Sequence, residues 1–282
     1  MSKARLLQPD LLTHYEQPGL LDRIEAGLQA LGENPAQPSL EALAKVDEFH
    51  IRGLAATREL IARLDPKPGE RILDVGCGLG GPARQLVAAR PGVQMLGIDI
   101  SRLYCRVAKT LTQRTGLGDR LSFRPIEIAA LGATEPPFDA AWTLHVGMNI
   151  EDKAGFYGAI RDCLKPGGRI LIYDLFSPAP DELCYPMPWA DHRAQSFLTS
   201  PEALGRCLDG VGFQVIEQQD DTAKASAFLQ KASQRRQANP ERPPLGLHTL
   251  LGPRKAQILP NIAHGFGSEN LRVISLLAHR LD

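Results

Sequence analysis

Residues 72–81 read ILDVGCGLGG, a short apolar run that ends in a glycine-rich turn. The run at 72–75 predicts a buried strand of a parallel sheet, because both faces of such a strand are covered. Glycines at positions 76, 78, 80 and 81 allow a tight turn and a close approach of the backbone to a ligand. Pro82 then opens a predicted helix, where its missing N–H costs little. A strand, a glycine turn and a helix N-terminus together predict a pocket for a nucleotide-like cofactor.

The spacing of the glycines leaves two cofactors open. The first, second and fourth glycines fit the GxGxxG pattern of dinucleotide binders. The first three, Gly76, Gly78 and Gly80, fit the GxGxG pattern of S-adenosylmethionine (SAM) binders. Asp99 ends the second predicted strand, where a carboxylate can accept both ribose hydroxyls of an adenosine. Both cofactors contain that ribose, so Asp99 does not separate them.

Asp74 favours SAM. It stands two residues before the first glycine of the turn. A carboxylate at that place would repel the pyrophosphate of NAD, whereas SAM has no phosphate and carries sulfonium and ammonium charges. Asp74, the three glycines of the GxGxG pattern, Asp99 and its neighbour Ile100 are therefore predicted cofactor contacts.

Along the chain, predicted strands alternate with predicted helices. The strands are expected at residues 71–75, 93–100, 121–128, 138–146, 169–176, 212–220 and 271–280. One long helix is predicted from about Ser39 to Leu64, and residues 165–168 predict a turn before the fifth strand. The alternation indicates a doubly wound α/β fold with a parallel sheet.

Composition excludes several classes of protein. Lys plus Arg and Asp plus Glu both number 32, whereas a surface that binds nucleic acid normally has a basic excess. The sequence shows neither a signal peptide nor an apolar segment long enough to span a membrane, so no membrane partner and a cytoplasmic location are expected. The five cysteines form no CxxC pair, so neither a zinc site nor a disulfide framework is predicted. A monomer or homodimer is expected.

Two further motifs accompany the glycine turn. FDAAW at 138–142 opens the fourth strand, and LKPGG at 164–168 precedes the fifth. With these motifs and the acid that ends the second strand, the chain resembles the class I (Rossmann-like) SAM-dependent methyltransferases. The resemblance implies a seven-stranded, mostly parallel sheet in the order 3-2-1-4-5-7-6, with the last strand antiparallel. It also implies a helical N-terminal cap over residues 1–56, a methyltransferase domain over 57–282, and a covering insertion at 221–268.

Other segments resemble those of one subgroup of this family. HYEQPGLLDRI, DEFHIRGLAATREL, HVGMNIEDK and YPMPWA are similar to segments of the sarcosine/dimethylglycine N-methyltransferases. This likeness implies methylation of a small amine towards glycine betaine, with S-adenosylhomocysteine (SAH) as the second product. The alternatives are O-, S- or C-methylation of another small metabolite or natural product, an NAD-dependent oxidoreductase, and a non-catalytic SAM-binding protein.

The candidate site residues lie at the predicted strand ends and in the segments that are expected to cover those ends. His145, at the carboxyl end of the fourth strand, is the predicted general base and a contact of the methionine part of SAM. Glu127 follows the third strand, where the family places an adenine contact. Arg52 or Arg193 would pair with a substrate carboxylate. The remaining predicted substrate contacts are Tyr15, His50, Met148, Asn149, Tyr185, Trp189 and His248. Aromatic faces among them would contact ammonium and sulfonium cations.

Overall fold

The structure, a computed structural model, describes residues 18–132, 135–239, 241–252 and 255–282. Within these ranges seven strands form one sheet in the order β3-β2-β1-β4-β5-β7-β6, which confirms the predicted topology. The strands are β1 (Arg71–Val75), β2 (Gln94–Asp99), β3 (Leu121–Pro125), β4 (Phe138–Leu144), β5 (Leu164–Phe176), β6 (Phe213–Asp220) and β7 (Arg272–Arg280).

The five strands β1 to β5 run parallel, and β7 runs antiparallel to both β5 and β6. The carboxyl ends of the parallel strands therefore meet at one edge of the sheet. The central strands β1 and β4 are almost fully buried, as their apolar sequences predict. Their burial on both faces holds that edge rigidly in the middle of the molecule.

Helices cover both faces of the sheet. The described helices are α1 (Leu20–Ala30), α2 (Leu40–Asp47), α3 (Leu54–Leu64), α4 (Gly81–Ala89), α5 (Arg102–Arg114), α6 (Ile128–Leu131), α7 (Lys153–Cys163), α8 (Pro201–Gly210), α9 (Thr222–Ala238), α10 (His248–Leu251) and α11 (Lys255–Gly267). Two apolar clusters lie on opposite faces of the sheet, and a third joins α1 and α2 to α5. In the part of the chain that the structure describes, no helix is both long and apolar enough to cross a membrane.

The long helix predicted from Ser39 to Leu64 is wrong. Helix α2 ends at Asp47, and α3 begins only at Leu54. Arg52 and Gly53 have positive φ angles of 71° and 50°, which a right-handed helix does not contain. Phe49 and Ile51 lie within this break and pack against the apolar cluster that contains Ile72 and Trp142, which we call the main core. The apolar periodicity therefore continues although the helix does not. The boundary predicted between the N-terminal cap and the methyltransferase domain, between residues 56 and 57, falls inside α3.

The turn predicted at residues 165–168 is part of β5. Phe138 faces Leu164 and Ala140 faces Arg169, so four residues of β5 bulge opposite Asp139. Lys165 Nζ donates to Asp139 Oδ1 across 2.5 Å and holds the bulge against β4. The strand therefore begins at Leu164 rather than at Arg169.

Candidate active site

A cavity of about 710 Å³ lies at the carboxyl edge of the sheet. The ends of β1, β2 and β4 and the glycine turn after β1 form its floor. Residues 48–53, the break between α2 and α3, close one side, and residues of α9, α10 and α11 close another. Open parallel sheets bind ligands at this edge, so the cavity is the candidate active site.

The glycine turn (residues 76–81) borders the cavity through its first half. Gly76 N and Cys77 N donate to Ile98 O across 2.8 and 3.0 Å, which ties the turn to β2. Gly78 has a φ of 52°, and a Cβ at this position would meet no atom within 4 Å, so its backbone faces open space. Gly80, a predicted cofactor contact, is set back from the cavity, where it caps α4 with a φ of 73°.

Asp99 is held in place at the end of β2. Its carboxylate accepts from Gly78 N at 3.0 Å and from Ser101 N at 2.9 Å. These two backbone donors fix the orientation of the carboxylate towards the cavity, which Ile100 and Glu127 also line. The arrangement brings the predicted adenosine contacts together and fits a ribose with two free hydroxyls.

Asp74 and Glu48 place two further carboxyls on the same cavity. Asp74 is 2% exposed at the end of β1, and Glu48 is 3% exposed directly after α2. Burial raises the pKa of each carboxyl to about 8; the charge of Asp47 adds to the effect at Glu48, and that of Asp99 adds to it at Asp74. A cationic ligand would stabilise the ionised forms of both, so this part of the cavity fits the positively charged end of SAM.

His145 lies at the carboxyl end of β4, as predicted. It has a φ of 56°, an uncommon conformation for a non-glycine residue, and its backbone N–H donates to Tyr173 O across 2.8 Å. Its ring stacks on Tyr173 with centroids 5.2 Å apart and meets His50 edge-on at 6.0 Å. Nε2 has no hydrogen-bond partner among the described residues. Burial lowers the pKa of His145 well below its ordinary value, so the imidazole is neutral at pH 7.

His50 lines the cavity beside His145, but its Nε2 is already engaged. Thr57 Oγ1 lies 3.2 Å from Nε2, and Glu48 Oε2 lies 3.6 Å from it. Burial lowers the pKa of His50 to about 4. His50 therefore contributes a neutral, fixed ring to the wall of the cavity.

Another part of the cavity lining is apolar. We define the apolar wall as Leu175, Trp189, Leu229, Leu247, Leu250, Leu251, Ile258, Ile262, Phe266 and Leu271. Trp189 is 1% exposed, and its Nε1 donates to Ser196 Oγ across 2.9 Å, so the indole both packs and lines the cavity. Most of the wall comes from residues 221–268, the segment between β6 and β7.

Met148 and Asn149 also line the cavity, from a short 3₁₀ turn after β4. Asp174, at the end of β5, accepts from Gly147 N at 2.6 Å and fixes this turn. Burial raises the pKa of Asp174 to about 6. Sequence reasoning assigned no role to Asp174, which lies inside the predicted fifth strand, or to Glu48, which lies inside the predicted long helix.

Two predicted substrate contacts among the described residues do not line the cavity. Tyr185 is half-buried and packs against the main core, and His248 begins α10 between two lining leucines without lining the cavity itself. Tyr15 lies outside the described residues. Arg52 lines the cavity but is paired with Glu59 and lies 3.6 Å from Asp221 Oδ1, and the half-exposed Arg193 is bonded to Asp181.

Comparison with known proteins identifies the family. A family model described as a methyltransferase domain matches residues 47–218, which include the break, the glycine turn and the first five strands. The chain belongs to this methyltransferase family. The predicted fold family is thereby confirmed, and with it SAM as the cofactor at the level of the family.

The curated relatives of this chain include O-methyltransferases, phosphoethanolamine N-methyltransferases and a sterol 24-C-methyltransferase. An O-methyltransferase of Pyrenophora dematioidea is 30% identical over 204 residues, which cover 70% of this chain and 72% of the relative. The O-methyltransferase cnsE of Penicillium expansum is 33% identical over 63% of this chain and 64% of its own length. The chain spans less than two thirds of the length of this and several other curated relatives.

Among solved structures, phosphoethanolamine N-methyltransferase 2 of Haemonchus contortus, in complex with SAM, matches with a TM-score of 0.69. The match covers 100% of this chain and 61% of that chain, at 20% identity. At this identity the likeness shows the fold alone. The sarcosine-type subgroup is not confirmed by these comparisons.

Proposed function

We propose that the protein transfers a methyl group from SAM to a hydroxyl oxygen of a largely apolar small molecule. The apolar wall carries this proposal, because a wall of leucine, isoleucine, phenylalanine and tryptophan side chains selects an acceptor that buries apolar surface. The O-methyltransferase names of two relatives agree with an oxygen acceptor, although other relatives are named phosphoethanolamine N-methyltransferases, so the apolar wall is the observation on which the proposal rests. This function is the O-methylation alternative to betaine formation.

A sarcosine-type acceptor fits the cavity less well. Its carboxylate needs a free cation, and the buried guanidinium on the cavity, Arg52, already faces Glu59 and Asp221. Lys45 and Arg235 also border the cavity, but both residues are exposed to solvent. Trp189 offers an aromatic face to an ammonium group, yet its indole N–H is bonded to Ser196 and the surrounding wall is apolar.

Under this proposal the residues of the site have two roles: some bind SAM or the acceptor, and one removes a proton. When bound, SAM supplies a methyl group on a positively charged sulfur. Asp99 and the backbone of Gly78 would hold the adenosine, and Asp74 would face the positively charged end. The apolar wall would orient the acceptor and exclude water, and alignment of this kind supplies much of the rate of a displacement. His145 Nε2, which is neutral and has no hydrogen-bond partner among the described residues, would take the proton of the hydroxyl.

The function is tested in two stages. Isothermal titration calorimetry first measures binding of SAM, SAH and NADH; we expect binding of the first two and none of NADH. SAH release is then measured with apolar phenols and alcohols, apolar amines, sarcosine and dimethylglycine. Turnover confined to the hydroxyl compounds supports the proposal, and turnover confined to sarcosine and dimethylglycine overturns it. Binding of SAM without turnover of any acceptor would favour a non-catalytic role.

A further inference from the structure

We propose that Glu48 is a cofactor-binding residue whose carboxylate accepts a hydrogen bond from the α-ammonium group of SAM and SAH. The proposal rests on the proposed use of SAM and adds a contact that no motif of the glycine turn includes. It assigns a binding role to the break between α2 and α3, which lies more than twenty residues before that turn.

The first observation is an unsatisfied oxygen. Glu48 lines the cavity, and its side chain is 1% exposed. Thr57 Oγ1 donates to Oε2, whereas Oε1 has no hydrogen-bond partner among the described residues. A buried carboxylate oxygen without a donor is costly, so the protein would retain this arrangement where a ligand provides the donor.

The second observation is the distribution of charge around Glu48. Its neighbour Asp47 is paired with Arg84, whose guanidinium also donates to Leu79 O and Thr112 Oγ1. That buried cation is therefore already engaged. Glu48 and Asp74 line the cavity together without a buried cationic partner in the described part of the chain.

The chemistry of the missing partner follows from these two observations. A neutral acceptor hydroxyl would satisfy Oε1 but would supply no positive charge to stabilise the ionised forms of the two buried carboxyls. An ammonium group supplies both a donor and a positive charge. SAM and SAH share such a group, whereas the sulfonium charge belongs to SAM alone and carries no N–H or O–H donor.

The test uses three ligands and two variants. Calorimetry measures the dissociation constants of SAM, SAH and 5′-methylthioadenosine, which lacks the amino-acid part, for the wild type, Glu48→Gln and Glu41→Gln. Glu41 is an exposed acid on α2 and serves as the matched control. We expect Glu48→Gln to weaken SAM and SAH by about tenfold or more and to leave methylthioadenosine unchanged within twofold. Glu41→Gln should change none of them.

The other outcomes overturn the proposal in distinct ways. Equal affinity of the wild type and Glu48→Gln for SAH rules out the contact between Glu48 and the ammonium group. A loss of affinity for SAM alone assigns Glu48 to the sulfonium instead. A lower kcat with unchanged dissociation constants assigns Glu48 to the acceptor. Because Glu48→Gln could disturb folding, the des-amino analogue of SAH is also measured on the wild type: affinity equal to that of SAH overturns the proposal without any variant. Wild-type protein that binds neither SAM nor SAH refutes the proposed function itself.

Discussion

Arg84 Nη2 donates to Asp47 Oδ2 across 2.5 Å, and both side chains are buried. Asp47 ends α2 in the N-terminal cap, whereas Arg84 belongs to the helix that follows the glycine turn. The same guanidinium donates to Leu79 O within the turn. One ion pair thus fixes the end of α2 and the glycine turn to each other.

Removing one partner of this pair is expected to destabilise the protein. Asp47→Ala would leave the Arg84 guanidinium buried with an uncompensated charge, and changes of this kind cost about 3–5 kcal/mol. Thermal and urea unfolding measure the loss. Lys67→Ala, which breaks the exposed pair with Asp65, is the control and should leave the melting temperature nearly unchanged. Similar losses for the two variants would contradict the role of the buried pair.

Gly81 is expected to tolerate no side chain, for a reason other than cofactor binding. A Cβ there would lie 2.5 Å from Asp47 O and 2.6 Å from Asp47 Oδ1. Gly81→Ala should therefore lower the free energy of unfolding by about 1–3 kcal/mol through overpacking. Gly118→Ala, whose Cβ would meet no atom closer than 3.7 Å, is the control. A variant as stable as the wild type would show that the cap does not pack as closely as described.

Asp99 is expected to control affinity for both SAM and SAH. Its carboxylate is oriented by Gly78 N and Ser101 N, and hydrogen bonds to charged groups contribute about 1.5–3 kcal/mol each. Asp99→Ala should weaken both ligands by roughly 10- to 100-fold in calorimetry. Asp119→Ala, at an exposed position before β3, should have no effect. Unchanged affinity of the Asp99 variant would place the ribose elsewhere.

His145 is expected to affect turnover and to give an unusual pH profile. His145→Gln should lower kcat by about 10²- to 10⁴-fold, as for loss of a general base, with little change in the affinity for SAH. Burial lowers the pKa of His145 well below 6.5, so the base remains neutral as the pH falls through that value. The rate should therefore stay level between pH 8 and 6.5. A fall in rate with a midpoint at the ordinary histidine pKa would contradict this role.

The two buried carboxyls are expected to make the ligand-free protein less stable as the pH rises. Burial raises the pKa of Asp74 and Glu48 to about 8, far above their unfolded values near 4. Between about pH 4 and 8 the folded state holds protons that the unfolded chain has released, so the free energy of unfolding falls over this range as the pH rises and levels off above it. Asp74→Asn should reduce this slope and weaken SAM binding. A flat melting temperature over this range would contradict both shifts.

The sequence predicts the central fold well and the surroundings of the site less well. Buried runs such as residues 72–75 predict the strands because parallel strands need apolar residues on both faces. The same reasoning does not predict the break at residues 48–53. Phe49 and Ile51 continue the apolar pattern of the helices through it, although Arg52 adopts a positive φ that a helix does not contain. The convergence of Glu48 with Asp74 depends on that break, so no local pattern reveals it.

The aromatic residues of the YPMPWA segment show a similar limit. Proline stiffening predicts that both Tyr185 and Trp189 face the cavity, but only Trp189 lines it. The difference of four positions is decided by packing: Tyr185 lies against the main core, and a hydrogen bond to Ser196 fixes the indole. The spacing of the two aromatic residues in the sequence does not indicate which of them lines the cavity.

The insertion between β6 and β7 has a consequence for how such an enzyme diversifies. Helices α9, α10 and α11 supply most of the apolar wall, whereas the glycine turn and Asp99 come from the first half of the chain. Under the proposed function, selectivity for the acceptor and affinity for the donor would depend on separate stretches of the chain. Recombination or mutagenesis confined to residues 222–267 can explore new acceptors while the donor site is inherited intact.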